Sequence, residues 1–221
     1  MNLKSTLSVS TLIASSLFAA QSPAQTLQEA IQQTINENPE INEVILSGGD
    51  PLVLTNEHLS ELLNQIVAIK HVTRIRLHSR LISTLPQRVD AGFISLLSSL
   101  NTNVVMVMHC NHPNEIGQDV ADAAQKLKHA GVVMLNQSVL LKNINDNASI
   151  LARLSEALFN IGVLPYYLFT LDKVHGAAHF DIATSTYLEI YRELQGLLPG
   201  YLVPRLASEI PDRTSKTLVN T

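Results

Sequence analysis

Cysteine occurs once in these 221 residues, as Cys110. One thiol excludes an intrachain disulfide, and it cannot by itself hold a zinc ion or an iron–sulfur cluster. Basic runs are also missing. The net charge is −4 with no arginine-rich stripe, which argues against nucleic acid as a partner. The longest apolar run, Leu7 to Ala20, is too short for a membrane-spanning helix. No low-complexity linker interrupts the chain after residue 42, and no repeat is visible beyond a strand–helix unit. What is present is an apolar fraction of 46% in a chain long enough for one domain with a sizeable core.

The amino terminus differs from the rest. Lys4 precedes the Ser/Thr-dotted apolar run, and Ser22-Pro23-Ala24 follows it, the layout of a secretory signal peptide with a small-residue cleavage site. A disordered leader or a misassigned start gives the same composition. Thr26 with Glu29 three residues on reads as a capping box opening a short helix. Over this short stretch the chain resembles the opening of outer-membrane efflux proteins. The expected organisation is a leader over 1–25, a helical connector over 26–41, a barrel-like body over 42–198 and a C-terminal segment over 199–221.

From Asn42 onward strands and helices alternate. Val44–Ser47, Arg74–His78, Val104–Met108, Val132–Leu135 and Leu164–Leu171 read as short buried strands. Apolar residues at helical spacing fill the gaps, such as Leu59, Leu62, Leu63 and Ile66, or Ile150, Leu151, Leu154 and Leu158. Gly131 and Gly162 read as C-caps, and Gly196 with Pro199 as the end of the last helix. Serial β-α units predict an α/β fold with a parallel sheet, a barrel or part of one.

Polar groups follow each strand: Gly48-Gly49-Asp50, then His78-Ser79-Arg80, then His109-Cys110-Asn111-His112, then Asn136-Gln137-Ser138, then Asp172. Ligand sites of such folds form at these strand ends. Two glycines bring a ligand against bare backbone, and Asp50 offers an acceptor for an ammonium or hydroxyl. Each group also has a plainer reading. His109 and His112 have metal-like spacing without further ligands to match. His175 and His179 fit a surface loop or a lid. Arg80 suits a carboxylate or phosphate, or a simple ion pair. Asn136 and Gln137 could be satisfied loop amides. Asp50 and Asp172 are costly at a strand mouth unless something binds them.

Ordered motifs between Glu43 and Lys216 then give a resemblance. They are Leu-Ser-Gly-Gly-Asp-Pro-Leu at 46–52, Arg-Leu-His-Ser-Arg-Leu at 76–81, Asn-His-Pro-Asn-Glu-Ile at 111–116 and Leu-Asn-Gln-Ser-Val-Leu-Leu-Lys at 135–142. Asn-Asp-Asn at 145–147, Pro-Tyr-Tyr-Leu at 165–168, Gly-Ala-Ala-His-Phe at 176–180, Gly-Tyr-Leu-Val-Pro at 200–204 and Ser-Lys-Thr at 215–217 follow. Together they resemble the radical S-adenosylmethionine lysine 2,3-aminomutases, in the branch that makes β-lysine for elongation factor P. The resemblance implies a partial (β/α)6 TIM-like barrel of the radical SAM type, missing its first strand.

It also implies an isomerase converting L-lysine to β-lysine with S-adenosyl-L-methionine, pyridoxal 5'-phosphate and a [4Fe-4S] cluster. By the same resemblance Gly48, Gly49 and Asp50 hold the amino group of S-adenosylmethionine. Asn136, Gln137 and Ser138 line that cavity, and His109 stands near the cofactors. Asp172 receives the ε-ammonium of lysine. Lys216 binds pyridoxal phosphate covalently, and Arg80 contacts that cofactor or the substrate. The family works in the cytosol as a small-molecule enzyme without membrane or nucleic-acid partners, which conflicts with the signal-like leader; a homo-oligomer is left open. The chain departs from the pattern where the family carries a Cys-x-x-x-Cys-x-x-Cys loop and a following arginine. Two expectations follow: an aminomutase by descent, inactive in this form, or a truncated or chimeric remnant that at most binds S-adenosylmethionine or pyridoxal phosphate.

Overall fold

A computed structural model describes residues 6–8, 27–172, 176–208 and 216–219. Thr26, Lys173, Val174 and His175 lie outside them, so the capping box and one half of the His175/His179 pair are not addressed. Contacts within the chain divide it into two units. One comprises Met1–Val107 with Lys126–Val133, the other Met108–Gln125 with Met134–Thr221.

In the first unit, strand β1 (Thr6–Ser8) comes from the leader and pairs parallel with β2 (Glu43–Leu46). β2 pairs parallel with β3 (Arg74–Ser79), with Glu43 opposite Arg74 and Leu46 opposite Leu77. Helix α1 (Leu27–Glu37) precedes β2, and α2 (Asn56–Val67) connects β2 to β3. Period-two alternation puts Val44, Leu46, Ile75 and Leu77 into an apolar layer with Leu59, Leu63 and Ile66 of α2. The connector helix is tied to this layer: Ile35 is fully buried, and the Nε2 of His71 lies 3.1 Å from the Ile35 carbonyl. The opposite sheet face is polar. Arg76 grips Glu43 with two hydrogen bonds of 3.1 and 2.7 Å, and both side chains are largely withdrawn from water. After β3 come the four-residue α3 (Leu81–Thr84) and α4 (Ala91–Ser99). Asp90 caps α4 by accepting the Phe93 amide at 2.7 Å. Strand β4 (Asn103–His109) follows, its first residue bonded to Thr73.

The second unit contains β5 (Val133–Val139), of which Met134 onward belongs here, then α6 (Ala148–Asn160), β6 (Leu164–Phe169), α7 (Thr184–Leu197) and β7 (Arg205–Ser208). Helix α5 (Gln118–His129) bridges β4 and β5 in sequence. β5, β6 and β7 pair parallel in chain order, and β8 (Thr217–Leu218) closes antiparallel on β7. Leu151, Leu168, Ile190, Leu194, Leu202 and Leu206 form the core here. Burying each such side chain is worth about 1.5–3 kcal/mol.

Four details differ from the sequence reading. β5 runs on through Asn136, Gln137 and Ser138, with the side chains of Asn136 and Ser138 bonded to the backbone of Cys110. His109 is the last residue of β4 and not the start of a loop. Helix α7 passes through Gly196 to Leu197, and Leu198 with Pro199 ends it. Strands β7 and β8 are too short to leave a periodic signal. Among the described residues, no helix is long and apolar enough to cross a membrane.

Candidate functional site

The mouth of β2 is built by backbone. Gly48 and Gly49 have φ of +88° and +51°, a region that L side chains adopt only with strain. Both are exposed. Among the described residues, a Cβ placed on Gly49 would meet nothing within 4 Å, so open space stands over Gly49. Asp50 then caps a 3-10 turn at Pro51–Val53 by accepting the Leu52 amide at 3.0 Å. Its other oxygen accepts from the Ser79 hydroxyl at 3.0 Å, the Arg80 amide at 2.7 Å and the Leu81 amide at 3.2 Å. Arg88 fastens the same turn from behind, donating to the carbonyls of Leu52 and Leu54 at 2.7 and 2.9 Å. Gly48, Gly49, Asp50 and Arg80 are thus brought together, with the Arg80 side chain exposed.

In the second unit the triplet on β5 divides between two faces. Asn136 and Ser138 are buried on the helix side. With Leu151, Leu154, Ser155 and Leu158 they line a void of about 10 Å³, room for a single water. The Asn136 amide reads the backbone of Cys110 like a third strand: Oδ1 accepts the Cys110 N–H at 2.9 Å, and Nδ2 donates to its carbonyl at 3.1 Å. Ser138 donates to the same carbonyl at 2.8 Å. Next to this lies a second clamp. Asn145, fully buried, donates to the carbonyls of Asn111 and Val139 at 2.8 and 2.9 Å and accepts the Leu141 amide at 2.7 Å. Asn111 accepts the Val139 amide at 2.8 Å.

Gln137 lies on the other face. A register shift between Asn136 and Gln137 sets Gln137 opposite Tyr167 and Val139 opposite Phe169. Among the described residues Gln137 Oε1 is buried without a hydrogen-bond partner, which leaves an acceptor available on this face. The Lys216 Nζ lies 4.2 Å from the Phe169 ring centroid and 5.1 Å from that of Tyr167. His109 is half-buried at the end of β4, and Asp172 is exposed beyond β6. Sequence reasoning passed over Asn145 as a clamp and over Tyr167 and Phe169 as the platform under Lys216. Alternate aromatics in Pro-Tyr-Tyr-Leu-Phe were the signal for that platform, since residues two apart share a strand face.

The groups implied by the resemblance fit unequally. A three-thiolate cluster site cannot be formed from these 221 residues. Cys110 is buried, with Sγ 3.4 Å from the His112 carbonyl, and no group of three metal-binding side chains occurs among the described residues. Pyridoxal phosphate fits better: a primary amine on two aromatic faces and an orphaned amide oxygen suit a flat, polar ring.

No family model matches the chain. It is 50% identical over 184 residues to the L-lysine 2,3-aminomutase of Haemophilus influenzae, covering 83% of this chain and 54% of that protein. It is 48% identical over 180 residues to the enzyme of the same name from Escherichia coli, covering 81% and 53%. Over that segment the chain belongs to the lysine 2,3-aminomutase family. This member spans about half the length of the curated relatives it matches. A glutamate 2,3-aminomutase from Clostridioides difficile is 37% identical over 191 residues, covering 86% of this aminomutase-family chain and 45% of that protein. In fold it is similar to Streptococcus suis SuiB, solved bound to S-adenosylmethionine, at a TM-score of 0.58, 10% identity and 86% and 45% coverage. A radical SAM methyltransferase from Sphaerobacter thermophilus gives 0.57 at 14% identity, covering 90% and 56%. The fold is therefore a partial TIM-like α/β barrel of the radical SAM type.

Proposed function

We propose that this chain carries the ligand-binding part of an aminomutase that moves the amino group of L-lysine from Cα to Cβ, and that on its own it binds without turnover. The observation that supports it best is the amine of Lys216 lying on the aromatic platform of β6, in a chain half identical to an L-lysine 2,3-aminomutase. Pyridoxal phosphate would be held by Lys216, whose nitrogen can exchange for the substrate amine. When bound, it supplies electron delocalisation next to the migrating nitrogen.

The remaining roles fall to this chain's own groups. The backbone of Gly48 and Gly49 offers a polar surface to the amino-acid end of S-adenosylmethionine. Gln137 supplies an acceptor on the face that carries Lys216. Asn136 and Ser138 keep the end of β4 in register, so that His109 stands at a fixed place. Asp172 is assigned the ε-ammonium of lysine, and Arg80 an anionic group of cofactor or substrate. The product, β-lysine, is assigned to elongation factor P modification in the cytosol. One cysteine supports the reading that the isolated chain is not catalytic.

Borohydride reduction after incubation with pyridoxal phosphate tests the central assignment. A single labelled lysine, Lys216, is expected, and Lys216→Arg abolishes the label. Labelling of a different lysine, or of none, ends the assignment.

A further inference from the structure

We propose that Asp50 is a positioning residue: its carboxylate ties the mouth of β2 to the turn after β3, and the backbone of Gly48 and Gly49 is what a ligand meets there. The motif reading gives Asp50 the ammonium of the ligand, and a carboxylate after two glycines invites that assignment. The geometry points elsewhere. A carboxylate offers about four lone-pair sites, two on each oxygen; the amides of Arg80 and Leu81 and the hydroxyl of Ser79 converge on Oδ2, and the Leu52 amide takes one site of Oδ1. Ser79 is buried, and its Oγ also accepts the Leu81 amide at 3.0 Å, so the carboxylate, the hydroxyl and that amide form a closed triangle. An ammonium arriving at Oδ2 would have to displace donors of this chain, and displacing the hydroxyl of buried Ser79 strands a polar group.

Gly48 and Gly49 have the opposite character. They are exposed, in left-handed backbone, with empty space over Gly49. Asp50 fixes where that backbone lies by bonding forward to the 3-10 turn and across to β3. It therefore acts on a ligand through the glycines. This inference rests on the reading of the Gly-Gly-Asp mouth as a ligand surface, and the test separates the two.

The first arm needs no ligand. Amide hydrogen exchange at Arg80 and Leu81 should quicken by about tenfold or more in Asp50→Ala, and unchanged exchange overturns the tie. Should Asp50→Ala fail to fold, Ser79→Ala removes one donor and keeps the carboxylate. Faster exchange at Leu81 is then expected, and unchanged exchange is again contrary. The second arm measures binding of S-adenosylmethionine and of its analogue lacking the α-amino group to the native chain and to Asp50→Asn. Weakening of both by a similar factor, with their ratio retained, supports a positioning role. Collapse of the ratio shows the carboxylate holding the ammonium directly and overturns the proposal. Unmoved affinities overturn it too, because a cap remote from the ligand would behave so. If the native chain binds neither compound, the ligand reading of this mouth fails while the exchange arm still decides Asp50.

Discussion

At the scale of single residues, what a side chain does here is set by which donors reach it, more than by its type. Asn145 shows this. Its three hydrogen bonds end on backbone of the loops after β4 and β5 and of Val139, the last residue of β5, and it is fully buried. Asn145→Ala would orphan buried groups at about 1–3 kcal/mol each. We expect a loss of about 3 kcal/mol or more by urea denaturation, with Asn145→Asp also destabilising because it cannot donate to the two carbonyls. A loss below 1 kcal/mol would show that the clamp is redundant. Phe169→Leu, which removes the nearer ring under Lys216, should weaken pyridoxal phosphate capture while leaving the labelled position unchanged. A shift of the label would contradict the platform. At this scale the sequence was legible in identity and incomplete in direction. Asn136, Gln137 and Ser138 stand out as polar residues near a strand end, yet only strand alternation, knowable once β5 is seen to extend to Val139, separates Gln137 from its two neighbours. Little in the motif betrays that Asp50 is surrounded by donors, because only the Leu52 amide is local and the other three come from residues some thirty positions away.

At the scale of elements, helices announce themselves and short strands do not. The faces of α2, α4, α6 and α7 follow from apolar spacing, and Gly131 and Gly162 take the positive φ expected of C-caps. β7 and β8 are too short for periodicity to register, and they exist because β6 offers an edge to β7 and β7 offers its own to β8. Helix α4 yields a pH test. The Phe93 amide above all holds the Asp90 carboxylate below its ordinary value of 3.8; burial opposes it with the next largest effect, and the Asn56 side chain adds to the lowering. The cap therefore contributes at pH values above about 3.8 and is lost as pH falls toward the depressed native value. Asp90→Ala should cost about 1 kcal/mol at neutral pH and progressively less in acid. Equal destabilisation at pH 3 and pH 7 would contradict the electrostatic part of the cap. Because Asp90 is exposed, solvent screening keeps that part small.

At the scale of the whole molecule, the chain is similar to L-lysine 2,3-aminomutases over about half their length, and it holds one cysteine. Anaerobic iron and sulfide reconstitution should give substoichiometric iron and no 5'-deoxyadenosine. A full cluster with turnover of lysine would refute the reading of an inactive chain. In the second core, Leu194→Ala, at a fully buried position, should cost about 2–5 kcal/mol. The matched segment is shared with proteins named for lysine and for glutamate. The pairing order has a consequence of its own. β2 meets β3, β5 meets β6 and β6 meets β7, each the next strand along the chain. Loops of about thirty residues close at modest entropic cost. A ribosome can therefore lay down this sheet one pair at a time, each new strand finding its template already finished, with no late segment needed to thread between earlier ones.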